Sequence, residues 1–264
     1  PTVGIAELRQ AMAYFYKNWY DVDLDPDKEI QPMLGSKEGI LHITLAFCNP
    51  GDEVLLPDPG YPTYTAINKL LATKITYYPL REDNGWQPDF DALEKMDLSH
   101  VKLMWTNYPN MPTGGNARRD TYEKLVDFAR RHDIVIVNDN PYSLILNDHP
   151  LSILQVPGAK DCCIELNSMS KSFNMPGWRV AMAVSNPTYI GYILKVKSNI
   201  DNGSLRGPRR GVPDQYEGMA SPVQRTSVPR ASRCGRTDHD HPRMHLRSHP
   251  GRHVPLGQDP REIY

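Results

Sequence analysis

Apolar positions recur at helical spacing over residues 4–20, where Leu8, Met12, Phe15, Tyr16 and Trp19 share one face. A second helical pattern covers 36–48 and is entered through Gly35-Ser36. Downstream the apolar runs shorten. Segments 53–56, 74–78, 101–105, 134–137 and 163–166 suit strands, and 61–71, 89–95 and 120–131 suit helices. A strand over 179–184 and a helix over 187–198 close the series. Gly/Pro clusters punctuate it at 49–51, 57–62 and 109–115. Strands alternating with helices predict an α/β domain with a mostly parallel sheet. After Asn202 the order stops: Leu, Ile, Val and Phe become sparse, and nothing there reads as able to build a packed core.

Composition sharpens that break. The chain has 264 residues, a formal net charge of −1 and 39% hydrophobic residues, enough for a sizeable core. Residues 1–202 carry 19 basic and 25 acidic side chains, whereas 203–264 carry 11 Arg, no Lys and 6 acids. The second stretch also holds 8 of the 24 Pro and 5 of the 9 His, so the two regimes need separate explanations. No apolar run is long enough for a transmembrane helix, and the start has no basic-then-apolar signal pattern. The chain begins at Pro1, already inside a helical pattern, and reads as a fragment. Cys48, Cys162, Cys163 and Cys234 lack the paired spacing of a zinc site or a disulfide framework, which predicts a reducing cytoplasm.

The strongest chemical signal is the run from Asn167 to Val180, with Ser168, Ser170 and Lys171 followed by Gly177, Trp178 and Arg179. A Lys among small hydroxyl residues just after a strand is a candidate buried, reactive amine. Arg179 could reach a phosphate with bidentate geometry. A surface Lys beside a structural Arg is the plain alternative. Asp139 and Tyr142 follow a strand, where open α/β sheets gather ligands, and an Asp there can pair with a protonated pyridine nitrogen. An ordinary Asp-Asn-Pro turn would look the same. Ser36 and Lys37 open a helix whose free N–H groups suit a phosphate, as many capped helices do. Tyr61 enters another helix and could stack on a planar cofactor or simply join the core.

Together and in this order, these pieces resemble the fold-type I pyridoxal-phosphate aminotransferases of classes I and II, over essentially all of residues 1–202. Gly35-Ser36-Lys37-Glu38-Gly39-Ile40 and Asp58-Pro59-Gly60-Tyr61-Pro62 look most like the LL-diaminopimelate aminotransferase branch. The resemblance implies a three-layer αβα large domain and a ping-pong transfer of an amino group from an amino acid to a 2-oxo acid. It implies pyridoxal 5'-phosphate as cofactor and a homodimer for the intact enzyme. Lys171 would carry the cofactor as a Schiff base, Asp139 would meet the pyridine nitrogen, and Tyr142 the ring oxygen. Ser36, Lys37, Ser168 and Arg179 would hold the phosphate, with Tyr61 on the ring. One position departs: Met111 stands where the family usually has Asn before Pro-Thr-Gly, and a thioether cannot donate as an amide does. Rival readings are a β-lyase or decarboxylase on the same scaffold, or a non-enzymatic protein with a basic nucleic-acid-binding tail.

The tail resists a functional reading. His241, His245, His249 and His253 recur at ligand spacing, yet Pro242, Pro250 and Pro255 interrupt any helix, so no metal site is expected. Its arginines lack interleaved aromatics, so neither nucleic acid nor membrane is expected as a partner. An Arg/Pro/His/Gly-rich, Lys-free stretch is what a GC-rich coding sequence yields out of frame. His253 to Pro260 can be encoded so that starting one base later reads MFLWGKIP, like an aminotransferase strand. The expectation is a frameshift product over 203–264, with the small domain and the site-closing N-terminal segment missing.

Overall fold

The computed structural model describes residues 2–201, and the expectations for residues 203–264 lie outside them. Helix α1 (Ala6–Tyr20) leads to strand β1 (Ile30–Met33), helix α2 (Ser36–Phe47), strand β2 (Glu53–Asp58), helix α3 (Pro62–Leu70) and strand β3 (Lys74–Pro79). A short helix α4 (Phe90–Leu93), strand β4 (Val101–Asn107), helix α5 (Arg119–His132) and strand β5 (Val135–Asp139) follow. Strand β6 (Cys163–Ser168), a single-turn helix α6 (Met169–Ser172), strand β7 (Ala181–Val184) and helix α7 (Pro187–Ile200) complete the described chain.

The seven strands form one sheet in the order β1-β7-β6-β5-β4-β2-β3. Strands β3, β2, β4, β5 and β6 pair in parallel, whereas β7 runs antiparallel to both β6 and β1. Alternate residues of each strand feed opposite faces. Ile136, Cys163, Met182 and Val184 pack with Leu8, Phe15 and Tyr16 of α1 and with Leu125 and Phe128 of α5. Val137, Ile164, Leu166 and Ala183 pack with Ile40 and Ile43 of α2, Tyr64 of α3 and Ile193 of α7. The result is the three-layer α/β arrangement of a sheet buried on both sides, which is why its strands read as continuous apolar runs.

One strand was missed and two expectations change. Strand β1 was not visible in the hydrophobic pattern, because Gln31 and Pro32 interrupt a four-residue segment. The predicted 179–184 strand begins only at Ala181: Arg179 sits in the left-handed region at φ 55, closing a turn over Pro176–Trp178. The helix predicted from Tyr61 starts at Pro62, and Tyr61 is its extended N-cap.

Candidate active site

Parallel strands end on the same side of a sheet, so their last residues converge. The last residues of β4, β5 and β6 are Asn107, Asp139 and Ser168, and all three line one cleft of about 220 Å³. The eight residues singled out in the sequence, Ser36, Lys37, Tyr61, Asp139, Tyr142, Ser168, Lys171 and Arg179, all line that same cleft.

Asp139 dominates its electrostatics. The side chain is 3% exposed. Its Oδ2 accepts a 2.8 Å hydrogen bond from the Tyr64 hydroxyl, while Oδ1 is buried with no partner. Burial pushes the carboxyl up to about 7, against the pull of the Tyr64 hydroxyl. Tyr64 is fixed in turn by stacking on Trp105 at 5.0 Å and 20°, and its hydroxyl is driven well above the ordinary phenol range by burial and the neighbouring carboxylate. Tyr142 is half-buried and also shifts upward, from burial and then from Asp139.

The opposite end of the cleft suits an anion. Gly35 precedes α2 at φ 91 with no side-chain cap, so the first N–H groups of a twelve-residue helix face outward. The Arg179 guanidinium lies directly against the Gly35 α-carbon, where a β-carbon would collide with it. Arg179 donates from Nη1 to the Pro176 carbonyl at 3.1 Å and from Nη2 to the Leu34 carbonyl at 3.3 Å. Ser168 caps α6, its Oγ accepting from the Ser170 amide at 3.2 Å.

Lys171 projects from α6 into the cleft. The expectation of a buried amine is corrected: the side chain is exposed, because α6 sits at the strand ends on the open side of the cleft. Two contributors were missed in the sequence. Asn107 donates from Nδ2 to the Asp139 carbonyl at 2.8 Å and accepts the Met111 amide at 2.7 Å, tying β4 to β5 at the cleft floor. Its position at the end of an apolar run before a Pro-rich turn was the available signal. Tyr64, one helical turn after Tyr61, was the other. Met111 lines the cleft, whereas Asn110 folds back, its Oδ1 accepting the Thr113 hydroxyl at 2.8 Å.

A planar group with a basic ring nitrogen and a phosphate fits these residues. An orphaned buried carboxylate oxygen stands ready for the nitrogen, and an uncapped helix start with two basic side chains for the phosphate. The sequence profile of the aminotransferase class I and II family matches residues 1–202. The chain belongs to the class I and II aminotransferases. Their cofactor is pyridoxal 5'-phosphate. Among curated relatives it is similar to the LL-diaminopimelate aminotransferase of Aquifex aeolicus, 48% identical over 206 residues, which are 77% of this chain and 53% of that protein. The corresponding enzyme of Dehalococcoides mccartyi is 44% identical over 204 residues, 76% of this chain and 53% of that protein. Among solved structures, substrate-bound BacF from Bacillus subtilis aligns with a TM-score of 0.75 at 36% identity, covering 83% of this chain and 58% of that one. The chain thus spans about half the length of the curated aminotransferases it matches.

Outside the cleft, one group of potential metal ligands occurs among the described residues, Glu38, His42 and Asp201. The Lys197 ammonium already sits there, 2.5 Å from Glu38 Oε1 and 2.8 Å from Asp201 Oδ1, as the cationic partner of both carboxylates. No helix among the described residues is long and apolar enough to cross a membrane.

Proposed function

We propose that residues 2–201 form the cofactor-binding portion of a pyridoxal-phosphate aminotransferase that moves an amino group from an amino acid to a 2-oxo acid. The observation that carries this reading is the unpartnered Oδ1 of Asp139, buried at the cleft shared with Lys171 and Arg179. Bound there, pyridoxal 5'-phosphate supplies an electrophilic aldehyde and an electron-withdrawing ring. Asp139 would hold the ring nitrogen, its carboxylate favouring the protonated form there, while Tyr142 would serve the ring oxygen and Tyr61 the ring itself. Ser36, Lys37, Ser168, Arg179 and the start of α2 hold the phosphate. Lys171, whose side chain lines the cleft, would be the residue to hold the aldehyde end of the cofactor, and its amine would be the group placed to take and return a proton at the substrate α-carbon. Met111 offers no donor beside Tyr142, so the tyrosine hydroxyl carries that contact alone.

The similarity to LL-diaminopimelate aminotransferases makes LL-diaminopimelate the first amino donor to try. We assign the protein to amino-acid biosynthesis in the cytoplasm, the latter supported by the unpaired thiols of Cys48, Cys162 and Cys163. We also assign the intact enzyme a homodimeric state, as the family resemblance implies. Residues 203–264 are read as out-of-frame sequence, supported by the change in composition where the family match stops.

The test is a transamination assay with added cofactor, LL-diaminopimelate and a panel of 2-oxo acids. Acceptor-dependent product formation with parallel double-reciprocal plots supports the reading. Release of ammonia and a 2-oxo acid with no acceptor present would instead assign a β-lyase.

A further inference from the structure

The anion end of the cleft is built where the pairing of the sheet stops. The β1–β7 ladder ends at Met33 and Ala181. Leu34, Gly35 and Arg179 lie beyond it, so their placement needs other restraints. Arg179 donates from Nη2 to the Leu34 carbonyl at 3.3 Å, and its guanidinium lies against the Gly35 α-carbon. Where this arginine sits therefore depends on how the Leu34–Gly35 backbone is held.

Glu38 holds it. Its Oε2 accepts the Leu34 amide, so Leu34 is gripped from both sides, its N–H by Glu38 and its C=O by Arg179. Glu38 is the third residue of α2 and the acidic residue of its first turn. A glutamate there can reach back over the helix start to a preceding backbone N–H, which is one half of a capping box. The other half is absent, because Gly35 has no side chain to cap with. The turn before the helix is thereby fixed, while the first N–H groups of α2 stay available to an anion.

The carboxylate is fixed in turn from α7. Lys197 is fully buried, and its ammonium lies 2.5 Å from Glu38 Oε1 and 2.8 Å from Asp201 Oδ1. A buried ammonium is costly unless paired and hydrogen-bonded, so this contact restrains both partners. The two oxygens of Glu38 thus have separate tasks: Oε1 meets Lys197 and Oε2 meets Leu34. His42, buried one turn further along α2, sets its Nδ1 3.2 Å from Oε1 on the remaining side.

We propose that Glu38, anchored by Lys197, is a positioning residue for the phosphate end of the cleft: it fixes the Leu34–Gly35 turn against which Arg179 is set. The inference rests on the phosphate-holding role proposed above for Arg179 and the start of α2. It also carries a sign of its own. Glu38 is an anion in the first turn of α2, so by charge alone its removal should strengthen the binding of a phosphate. As a brace, its removal should weaken that binding.

The experiment compares pyridoxal 5'-phosphate with unphosphorylated pyridoxal on the full-length chain by equilibrium dialysis. Glu38→Ala should weaken pyridoxal 5'-phosphate about tenfold and pyridoxal by less than about twofold. Glu38→Asp keeps the charge but is one methylene too short to reach Leu34 and Lys197 together. It should show the same selective loss, and it decides the matter should Glu38→Ala not fold. A phosphate preference unchanged or increased in a folded variant would overturn the proposal. Equal losses for both ligands would overturn it too, because a merely structural glutamate predicts just that. A wild-type chain with no preference for the phosphorylated ligand would overturn the phosphate assignment itself, and this inference with it.

Discussion

At the scale of single residues, Asp139 is the most informative group in the chain. Its carboxyl stands near 7 when folded against an ordinary 3.8, so folding binds a proton. Such a group contributes stability in full below the ordinary carboxylate range and loses it as pH rises through about 7. The cofactor-free chain should therefore lose up to about 4 kcal/mol from this group between those limits. Asp139→Asn should flatten that part of the curve in urea unfolding followed at several pH values; identical pH slopes would contradict the assignment. Tyr64 acts against burial by holding Oδ2. Tyr64→Phe should leave Asp139 protonated to higher pH and weaken pyridoxal 5'-phosphate binding by about tenfold at neutral pH, as read by equilibrium dialysis. The eight residues singled out in the sequence, which line the cleft, drew notice because they stand at helix starts, turns and strand ends in the order the family resemblance expects. Asn107 and Tyr64 did not: Asn107 reads as the plain polar end of an apolar run and Tyr64 as an interior residue of a helix, and only the sheet register and the α3 docking bring them to Asp139.

At the scale of elements, α2 and its Gly35 entry show how close packing builds an anion site. Gly35 holds φ 91, a conformation open to glycine, and a β-carbon there would strike the Arg179 guanidinium. Gly39, one turn on, lets the helix settle against the Leu166 side chain at the centre of the sheet. Gly35→Ala should push Arg179 out of the cleft. The loss should fall on the phosphate, so affinity for pyridoxal 5'-phosphate drops by tenfold or more while affinity for unphosphorylated pyridoxal barely changes. Equal losses for both ligands would deny this end of the cleft its anion-binding role. The parallel strands were readable as apolar runs because they are covered on both faces. Strand β1 was not: it is four residues long, contains Pro32, and owes its existence to antiparallel pairing with β7, a contact no local pattern encodes. The same holds for Arg179, whose left-handed turn delays β7 by two residues.

At the scale of the whole molecule, the family match and the compositional break coincide at residue 202. Sequencing the DNA for residues 195–264 from an independent source should open, after a one-base correction, a frame containing MFLWGKIP. An uninterrupted given frame with no open alternative would make the Arg-rich segment a genuine part of the protein. The aminotransferase reading itself turns on one covalent contact, between Lys171 Nζ and the cofactor carbonyl. The direct test is to incubate the full-length chain with pyridoxal 5'-phosphate, reduce with borohydride, digest and locate the label by mass spectrometry. The account predicts a phosphopyridoxyl group on Lys171, absent from Lys171→Ala. A label spread over Lys37 and other surface lysines, undiminished in that variant, would contradict it.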